Sequence, residues 1–250
     1  MSSNELTDRA FWLKYWENKK NLVFEIPSGY PFLSELDVLI RSRGIKTLLE
    51  IGGFPGYYSV WARRLGVTST LLDFVVHRPI LRELEKANHV PEGATGVVEA
   101  DIFKLQADPV YDLVMSNGLI EHFNDTEDIV KRHTQFVRPG GALFISLPNF
   151  RGLNGWFQKT FDPANYEKHN IGCMDPGYLR SICENAGLEN ADVQYSGYFM
   201  LWLENPETQP LWVRAFMKLT WLPLKVFFKI FPFNSRAFSP YIVIRAVKPA

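Results

Sequence analysis

The feature that most restricts the fold of this chain is an alternation of short apolar segments with amphipathic helical segments, which begins at residue 47. Strands that alternate with helices form βαβ units, and these build a mostly parallel sheet with helices on both faces. The predicted strands are residues 47–51, 70–73, 96–99, 111–116, 142–147, 193–195 and 241–247. The predicted helices between them are residues 57–65, 80–87, 126–137 and 176–186. We therefore expect a doubly wound α/β domain.

The regions around this pattern suggest additions to a single core. We expect an N-terminal helical cap over residues 1–44, the core over 45–200, a basic aromatic helical insertion over 201–238 and the final core strand over 239–250. Within the core, residues 148–175 are rich in asparagine, glycine and aromatic side chains, which predicts a long functional loop or lid.

The charge of the chain is balanced overall but uneven along its length. There are 27 cationic and 27 acidic side chains in 250 residues, so no net field favours nucleic acid as a partner. Glu207 is the last acidic residue, and seven cationic residues follow it. Cys173 and Cys183 have the spacing of neither a disulfide scaffold nor a zinc site. The N-terminal segment lacks the apolar run of a secretory signal, and no stretch approaches about 18 uncharged apolar residues, so we expect a cytoplasmic protein without a membrane span.

A glycine-containing turn joins the first predicted strand to the next helix in the segment Leu48–Tyr57. Glycines let a backbone approach a ligand closely, and a helix N-terminus offers free N–H groups. Gly52, Gly53 and Gly56 do not have the G-x-G-x-x-G spacing of a dinucleotide site. With Glu50 they form an acid-x-G-x-x-x-G pattern instead, and a carboxylate there suits a ligand with a cationic amino group. A tight structural turn is the other interpretation.

Acidic residues also follow the second and third predicted strands. Asp73 can accept hydrogen bonds from both hydroxyls of a ribose, or it can be an ordinary turn or cap aspartate. Asp101 can accept from an adenine amino group while Ile102 packs on the ring, or it can lie in an exposed turn. Because the carboxyl ends of parallel strands share one edge, these groups would line the same cleft as the glycine turn and bind a nucleoside.

In the order of the glycine turn and the acidic residues along its strands, the chain resembles the class I S-adenosylmethionine-dependent methyltransferases. The segments that carry the resemblance are Leu48–Gly56, Leu71–Phe74, Glu99–Ile102, Tyr111–Phe123 and Arg138–Ser146. The resemblance implies a Rossmann-like sheet of seven strands, of which the last, near Tyr241–Val247, runs antiparallel to the rest. One departure is Phe54, at a position where the family usually has glycine.

The resemblance also implies a cofactor, S-adenosyl-L-methionine, which leaves as S-adenosyl-L-homocysteine. The residues implied for its binding are Glu50, Gly52, Gly53, Gly56, Asp73, Phe74, Asp101, Ile102, Ser116 and Asn117. Glu50 and Gly52 would hold the methionine part, and Asp73 would hold the ribose. The adenine would lie against Asp101 and Ile102. Ser116 and Asn117 would pass beside the methionine part and the reacting methyl group.

Two histidines are candidates for acid–base chemistry. Methyl transfer is an in-line displacement at a sulfonium, and an alcohol nucleophile benefits from a base. His122 follows the fourth predicted strand, and His169 lies in a segment where relatives often place a histidine that faces the substrate. Each is predicted either as the base or as a group in contact with cofactor or substrate, and His122 could also simply begin a helix. His77, His89 and His133 are predicted to be surface residues.

The pair Glu121–His122 is similar to part of a Glu-x-x-Glu-His pattern with which some methyltransferases hold a metal. The position of the first glutamate is Gly118 in this chain. No metal is therefore expected.

Aromatic residues cluster near the N-terminus, where residues 1–20 predict an amphipathic helix. Trp12, Tyr15 and Trp16 either fold over the cofactor as a lid or pack the helix against the sheet. Trp156 either stacks on a sugar or aromatic acceptor or has a packing role.

Residues 211–233 predict an amphipathic helix that Pro223 splits or kinks. At about 100° per residue its cations fall within an arc of about 60°; they are Arg214, Lys218, Lys225 and Lys229. Its aromatic residues are Trp212, Phe216, Trp221, Phe227, Phe228 and Phe231. Three interpretations remain open: packing on the sheet or over the acceptor pocket, peripheral contact with a membrane surface, or an interface with a partner or second copy.

The leading functional hypothesis is O-methylation of a small molecule, a sugar or a lipid-linked glycan. The alternative is a binding or regulatory protein that keeps the cofactor fold without turnover. The glycine spacing disfavours a nicotinamide-dependent oxidoreductase, and the interleaving of the C-terminal cations with aromatic residues disfavours nucleic acid as a partner.

Overall fold

A computed structural model describes residues 4–204, 206–231 and 233–250, and within them all side chains except those of Trp221 and Lys229. The predictions made for those two side chains lie outside the described residues. The helices are α1 Arg9–Asn18, α2 Leu33–Arg43, α3 Tyr57–Arg64, α4 Arg78–Ala87, α5 Thr126–Thr134, α6 Leu153–Phe161, α7 Pro163–Tyr166, α8 Pro176–Asn185 and α9 Leu211–Ile230. The strands are β1 Thr47–Ile51, β2 Thr68–Asp73, β3 Gly96–Glu99, β4 Tyr111–Asn117, β5 Val137–Pro148, β6 Glu189–Ser196 and β7 Tyr241–Val247.

The strands form one seven-stranded sheet in the order β3-β2-β1-β4-β5-β7-β6. Only β7 runs against its neighbours, pairing antiparallel with both β5 and β6, while every other described pair is parallel. The expected α/β, Rossmann-like sheet with an antiparallel last strand is therefore confirmed.

Side chains of the central strands alternate between two hydrophobic cores. In β1, Leu49 and Ile51 pack into the core on one face of the sheet, and Leu48 packs into the core on the other. Strand residues with a period of two point to opposite faces, so both faces must be covered by helices. Glu50 shares the face of Leu48, which sends its carboxylate toward α3.

The strand order reverses between β1 and β4. From β1 the chain builds outward through β2 and β3, then returns to place β4 on the other side of β1. In an open α/β sheet, the crevice at the carboxyl ends of the strands on either side of such a reversal is where ligands bind. The fold thus places the turn after β1 beside the turn after β4.

Aspartates cap the helices that surround this edge. Asp8 accepts a hydrogen bond from the Phe11 N–H at 2.8 Å at the start of α1. Asp125 does the same for α5, and Asp175 for α8. Each carboxylate satisfies a backbone donor that has no partner within its helix, which fixes where the helix begins.

Two predicted elements differ from the structure. Residues 148–175, predicted as a long loop, contain α6 and α7, because Phe157 and Gln158 turn a buried face toward the protein. The strand predicted over residues 142–147 begins earlier, at Val137, as part of β5, and its pairing with β4 becomes irregular between Tyr111 and Leu113.

The C-terminal helix α9 continues through Pro223 instead of splitting there. Proline removes one helical hydrogen bond, and the helix extends on both sides of the loss. Within the part of the chain that the structure describes, no helix has the length and hydrophobicity needed to cross a membrane.

Candidate active site

Two adjoining cavities open at the carboxyl edge of the sheet. The larger has a volume of about 420 Å³ and the smaller about 50 Å³. Both are lined by Trp12, Trp16, Gly52 and Gly118, so they form neighbouring parts of one cleft. The cleft lies where the strand order reverses.

The carboxylate of Glu50 is buried at the end of β1 beside the larger cavity. It accepts a hydrogen bond from the backbone N–H of Ser59 in α3 at 2.7 Å. Burial disfavours the charged form and raises the pKa of Glu50 to about 7, even though the bonds from Ser59 favour the carboxylate. Glu50 is therefore harder to ionise than an exposed glutamate.

The glycines of the turn after β1 leave room for Glu50 and for the cleft. A Cβ at Gly53 would overlap the Glu50 carboxyl group, and Gly52 has a φ of 62° and faces the side chain of Leu119. Both glycines line the larger cavity. Gly56 instead caps α3. It lies next to Leu71 and Leu81 and is not among the residues that line the two cavities.

Asp73 forms hydrogen bonds that link the turn after β1 to the turn after β2. Its carboxylate accepts from the backbone N–H of Phe54 at 2.9 Å and of Val75 at 3.1 Å. Burial raises its pKa to about 6. Asp73 and Phe74 line the smaller cavity. Phe54 is the residue that departs from the family pattern. The hydrogen bond from its backbone N–H holds it beside the Asp73 carboxylate.

The third strand end contributes one of its two predicted residues. Ile102 is buried and lines the smaller cavity. Asp101 lies outside both cavity linings, where it accepts from the Phe103 N–H and pairs with Lys104 at 3.0 Å. Asp101 is half-buried, so it does not lie in an exposed turn, and its contact with an adenine amino group stays a prediction.

The end of β4 likewise divides its two predicted residues. Asn117 lines the larger cavity and accepts a hydrogen bond from the Ser146 hydroxyl at 2.6 Å. Ser116 is fully buried and pairs with His133 Nε2 at 3.0 Å. Strand alternation points Ser116 away from the cleft, so the structure places it in the core rather than beside a ligand.

His133, predicted as a surface residue, is fully buried, and this prediction is wrong. Its Nδ1 lies 2.7 Å from the Ile129 carbonyl oxygen, and burial lowers its pKa to about 4. His133 is a neutral core histidine with both ring nitrogens bonded. His89 is exposed and His77 is half-buried.

His122 and His169 come together in the larger cavity from segments 47 positions apart. Their ring centres are 4.7 Å from each other. His122 Nδ1 lies 3.1 Å from the Lys168 carbonyl oxygen, and His169 Nδ1 lies 2.7 Å from the Asn165 carbonyl oxygen. A carbonyl only accepts, so each ring carries its proton on Nδ1 and keeps a bare lone pair on Nε2.

Burial keeps both rings neutral. It lowers the pKa of His122 to about 3, with the neighbouring His169 adding to the effect, and it also lowers the pKa of His169. Two neutral imidazoles with free Nε2 atoms can accept hydrogen bonds from a hydroxyl group or bind a cation.

Glu121 completes this cluster and was not predicted as a site residue. It is buried in the lining of the larger cavity, and its Oε2 atom has no hydrogen-bond partner among the described residues. Burial raises its pKa to about 8. The Glu121, His122 and His169 ligand atoms all lie within 4.8 Å of one another.

The N-terminal helix forms a wall of both cavities. Trp12 meets the His122 ring edge-on with centres 5.2 Å apart, and Trp16 meets Phe54 at 5.0 Å. The aromatic face of α1 is therefore part of the cleft. Trp156, by contrast, is 57% exposed on α6 and lies outside both cavity linings.

Comparison with known proteins identifies the family. Residues 20–193 match the family model described as "Methyltransferase domain", which is more than half of the chain. The chain belongs to this methyltransferase family. The match confirms the class expected from the sequence, that of S-adenosylmethionine-dependent methyltransferases, and with it the expected cofactor.

The methyltransferase is 27% identical over 187 residues to a ubiquinone biosynthesis O-methyltransferase of Aromatoleum aromaticum, covering 70% of this chain and 75% of that one. It is 28% identical over 107 residues to a malonyl-[acyl-carrier protein] O-methyltransferase of Priestia megaterium, covering 39% of this chain and 38% of the relative.

Solved methyltransferase structures share the fold. The Haemonchus contortus phosphoethanolamine N-methyltransferase 2, solved with S-adenosyl-L-methionine, has a TM-score of 0.59 and 17% identity; the match covers 97% of this chain and 58% of that one. A methyltransferase from Archaeoglobus fulgidus has a TM-score of 0.54 and 19% identity, with 86% and 94% covered.

Proposed function

We propose that the methyltransferase transfers the methyl group of S-adenosylmethionine to an oxygen atom of an acceptor bound in the larger cavity. The observation that carries this proposal is that His122 and His169, whose Nδ1 atoms are bonded to carbonyl oxygens and whose Nε2 atoms are therefore bare, both line the larger cavity beside the turn after β4. The named O-methyltransferase activity of the curated relatives supports oxygen as the acceptor atom.

The proposed cofactor position follows from the two cavities. Asp73 accepts from the ribose hydroxyls, and Phe74 and Ile102 enclose the adenine in the smaller cavity. The methionine part extends along Gly52 and Gly53 toward Glu50 and Asn117 in the larger one. Trp12 and Trp16, which line both cavities, cover the junction. The cofactor would supply its methyl group there, in the cavity that the histidine pair also lines.

In the proposed reaction, the acceptor hydroxyl donates a hydrogen bond to the histidine pair and gives up its proton to one of the two Nε2 atoms. The acceptor oxygen forms a bond to the methyl carbon, and the carbon–sulfur bond breaks with its electron pair on sulfur. The products are the methyl ether or ester and S-adenosylhomocysteine. The protein contributes orientation and proton acceptance, while the cofactor supplies the leaving group.

The proposed acceptor is a small molecule or sugar that is carried on a lipid, which the methyltransferase meets at a membrane surface. Along α9, at about 100° per residue, the packed residues Val213 and Phe228 occupy one side. The next sector holds three cations, Arg214, Lys218 and Lys225, within an arc of about 40°. The remaining face exposes large apolar side chains, among them Leu219 and Ile230 at 74% and 64%.

This surface lies next to the proposed acceptor cavity. Val213 of α9 packs in one small core with Phe157 and Leu203. The residues on either side of Leu203, Trp202 and Glu204, line the larger cavity. A lipid-borne acceptor held at α9 would therefore be close to the histidine pair.

A melting experiment with S-adenosylmethionine, S-adenosylhomocysteine and NAD tests the cofactor part of the proposal. A ligand at 100 times its dissociation constant stabilises the folded state by about 2.7 kcal/mol. For a chain of this size we expect a rise in melting temperature of about 5–10 °C with both methionine-derived ligands. A rise with NAD alone would contradict the proposal.

A screen with labelled methyl donor then tests turnover on hydroxyl-bearing acceptors, free and lipid-linked. We expect label in an oxygen-bound methyl group. Cofactor binding without label in any acceptor would favour the binding-protein alternative.

A further inference from the structure

We infer that Glu121, His122 and His169 form a binding site for one divalent transition-metal cation of the Zn²⁺ or Fe²⁺ type, with the acceptor oxygen as a further ligand. Binding of the cation is independent of the proposed methyl transfer, whereas its role on the acceptor rests on that function. The pattern around Gly118 did not predict the site, because its third ligand, His169, comes from a distant segment that the fold brings to the end of β4.

The chemistry of the three groups fits such a cation. Imidazole nitrogens bind zinc, iron and related metals, and a set of two histidines and one carboxylate leaves coordination positions open for other ligands. Ligand atoms stand about 2.0–2.2 Å from such an ion. The three ligand atoms lie within 4.8 Å of one another, so small inward rotations of the side chains would close them around it.

The orientation of the histidines is that of metal ligands. A histidine bound to a metal through one ring nitrogen usually donates the N–H of the other to a carbonyl or carboxylate, which fixes the ring. His122 and His169 each make this bond through Nδ1, to the carbonyl oxygens of Lys168 and Asn165. Both Nε2 lone pairs are left for the cavity.

Glu121 provides the second, independent observation. Its Oε2 atom is buried without a hydrogen-bond partner, although the side chain borders an open cavity. A buried carboxyl oxygen without a partner is costly, and a cation would relieve that cost and offset its charge. Lys168, the only Lys or Arg among the described lining residues, lies over the Phe11 ring at 4.8 Å, while Glu50 and Glu204 add two more acids to the lining.

The histidines are in the protonation state that binds a cation. Burial lowers the pKa of His122 to about 3, so its ring is neutral near pH 7, and neutral imidazole is the form that binds metal. With a cation in place, both Nε2 lone pairs are bound to it. The acceptor oxygen bound to the cation then loses its proton to solvent more readily.

The test is a titration of the chelator-treated full chain with Co²⁺, followed by visible absorption, and with Zn²⁺, followed by calorimetry. We expect one equivalent of each metal to bind, with Co²⁺ bands typical of a site with nitrogen and oxygen ligands. Glu121→Gln and His169→Gln should each weaken binding at least tenfold. The control, His89→Asn, changes an exposed histidine at a φ of 57° that asparagine tolerates, and should leave metal binding unchanged.

Far-ultraviolet circular dichroism and S-adenosylhomocysteine binding identify any variant that fails to fold.

Absence of Co²⁺ and Zn²⁺ binding to the wild type overturns the inference, as does binding that survives both substitutions. If the enzyme methylates its acceptor in the presence of chelator and binds neither metal, the proposed function stands and the cation site does not. If the metals bind at this site but no cofactor does, the proposed function fails and the cation site stands.

Discussion

Gly53 shows how a single missing side chain keeps the site open. The Glu50 carboxylate lies where a Cβ of residue 53 would be, and it accepts the buried Ser59 N–H from that position. Gly53→Ala should displace Glu50 and leave the Ser59 donor without a partner. We expect a loss of about 1–3 kcal/mol in the free energy of unfolding, measured by urea titration.

The same change should weaken S-adenosylhomocysteine binding at least tenfold in calorimetry, because the turn after β1 lines the larger cavity. The matched control is Gly29→Ala, since a Cβ there meets nothing within 4 Å. Equal effects of the two substitutions would show that the space beside Glu50 is not what requires glycine.

The histidine pair should govern turnover and not cofactor affinity. His122→Gln and His169→Gln each remove one bare Nε2 atom from the cavity, so we expect kcat to fall by about 10²–10⁴-fold in each variant. The dissociation constant of S-adenosylhomocysteine should change less than threefold. Full turnover in both variants would mean that the enzyme works by orientation of its substrates alone.

Residues that follow directly from strand order were easier to predict than those placed by long-range packing. Glu50, Asp73 and Asn117 each end or follow a strand, and parallel strands bring such positions to one edge. Glu121 was missed as a site residue because its importance depends on His169, which no local pattern connects to it. Ser116 and His133 form a buried pair that local sequence cannot reveal either.

At the level of elements, α9 should bind anionic membranes. Its three described cations lie between its packed side and its exposed apolar side, so they would meet lipid phosphates while the apolar face enters the interface. Each cation near an anionic lipid surface contributes about 1 kcal/mol to the free energy of membrane binding. Replacing Arg214, Lys218 and Lys225 together with glutamine should therefore weaken liposome binding about 100-fold.

Sedimentation with vesicles containing phosphatidylserine measures this binding, and raised salt should reduce it. The control changes Arg43, Lys86 and Lys131, three exposed cations on other helices, to glutamine, which lowers the net charge equally. Leu219→Glu should also release the protein. No sedimentation of the wild type at low salt, or an equal loss in the control, would contradict membrane contact through α9.

The elements themselves differ in how well local sequence predicts them. The central strands β1 and β4 are short apolar segments with clear ends, and the order of motifs predicts the topology of the sheet. The region at residues 148–175 was harder, because α6 is defined by Phe157 and Gln158 packing against Leu203 and Trp202, residues far along the chain. Composition alone made that region resemble a loop.

Over the whole molecule, the buried ionisable groups of the cleft, together with His133 in the core, should set how stability depends on pH. In the folded protein, burial raises the pKa of Asp73 to about 6, of Glu50 to about 7 and of Glu121 to about 8. It lowers the pKa of His122 to about 3 and of His133 to about 4. The raised carboxyl pKa values and the lowered histidine pKa values change the free energy of unfolding in opposite directions as the pH rises.

The unfolded chain protonates its histidines below about pH 6.5, while the folded chain keeps these two neutral. Their contribution to stability therefore grows as pH rises through 6.5 and is nearly complete about one pH unit above it. The carboxyl groups hold their protons in the folded state and lose them in the unfolded state above about pH 4–4.5. Their contribution is lost as pH rises through each folded-state pKa.

Between pH 7 and 8 the raised pKa values of Glu50 and Glu121 outweigh the small remaining histidine contribution, so the free energy of unfolding of the chelator-treated protein should fall with pH in that range. One such carboxyl group corresponds to about 1.4 kcal/mol per pH unit at most. Urea titrations at three pH values in this range measure the slope. Glu121→Gln, which cannot ionise, should flatten it between pH 7 and 8. A slope that is zero or positive in the wild type, or unchanged in the variant, would mean that Glu121 is already charged in the folded protein, which would require a positive partner for it in the cleft.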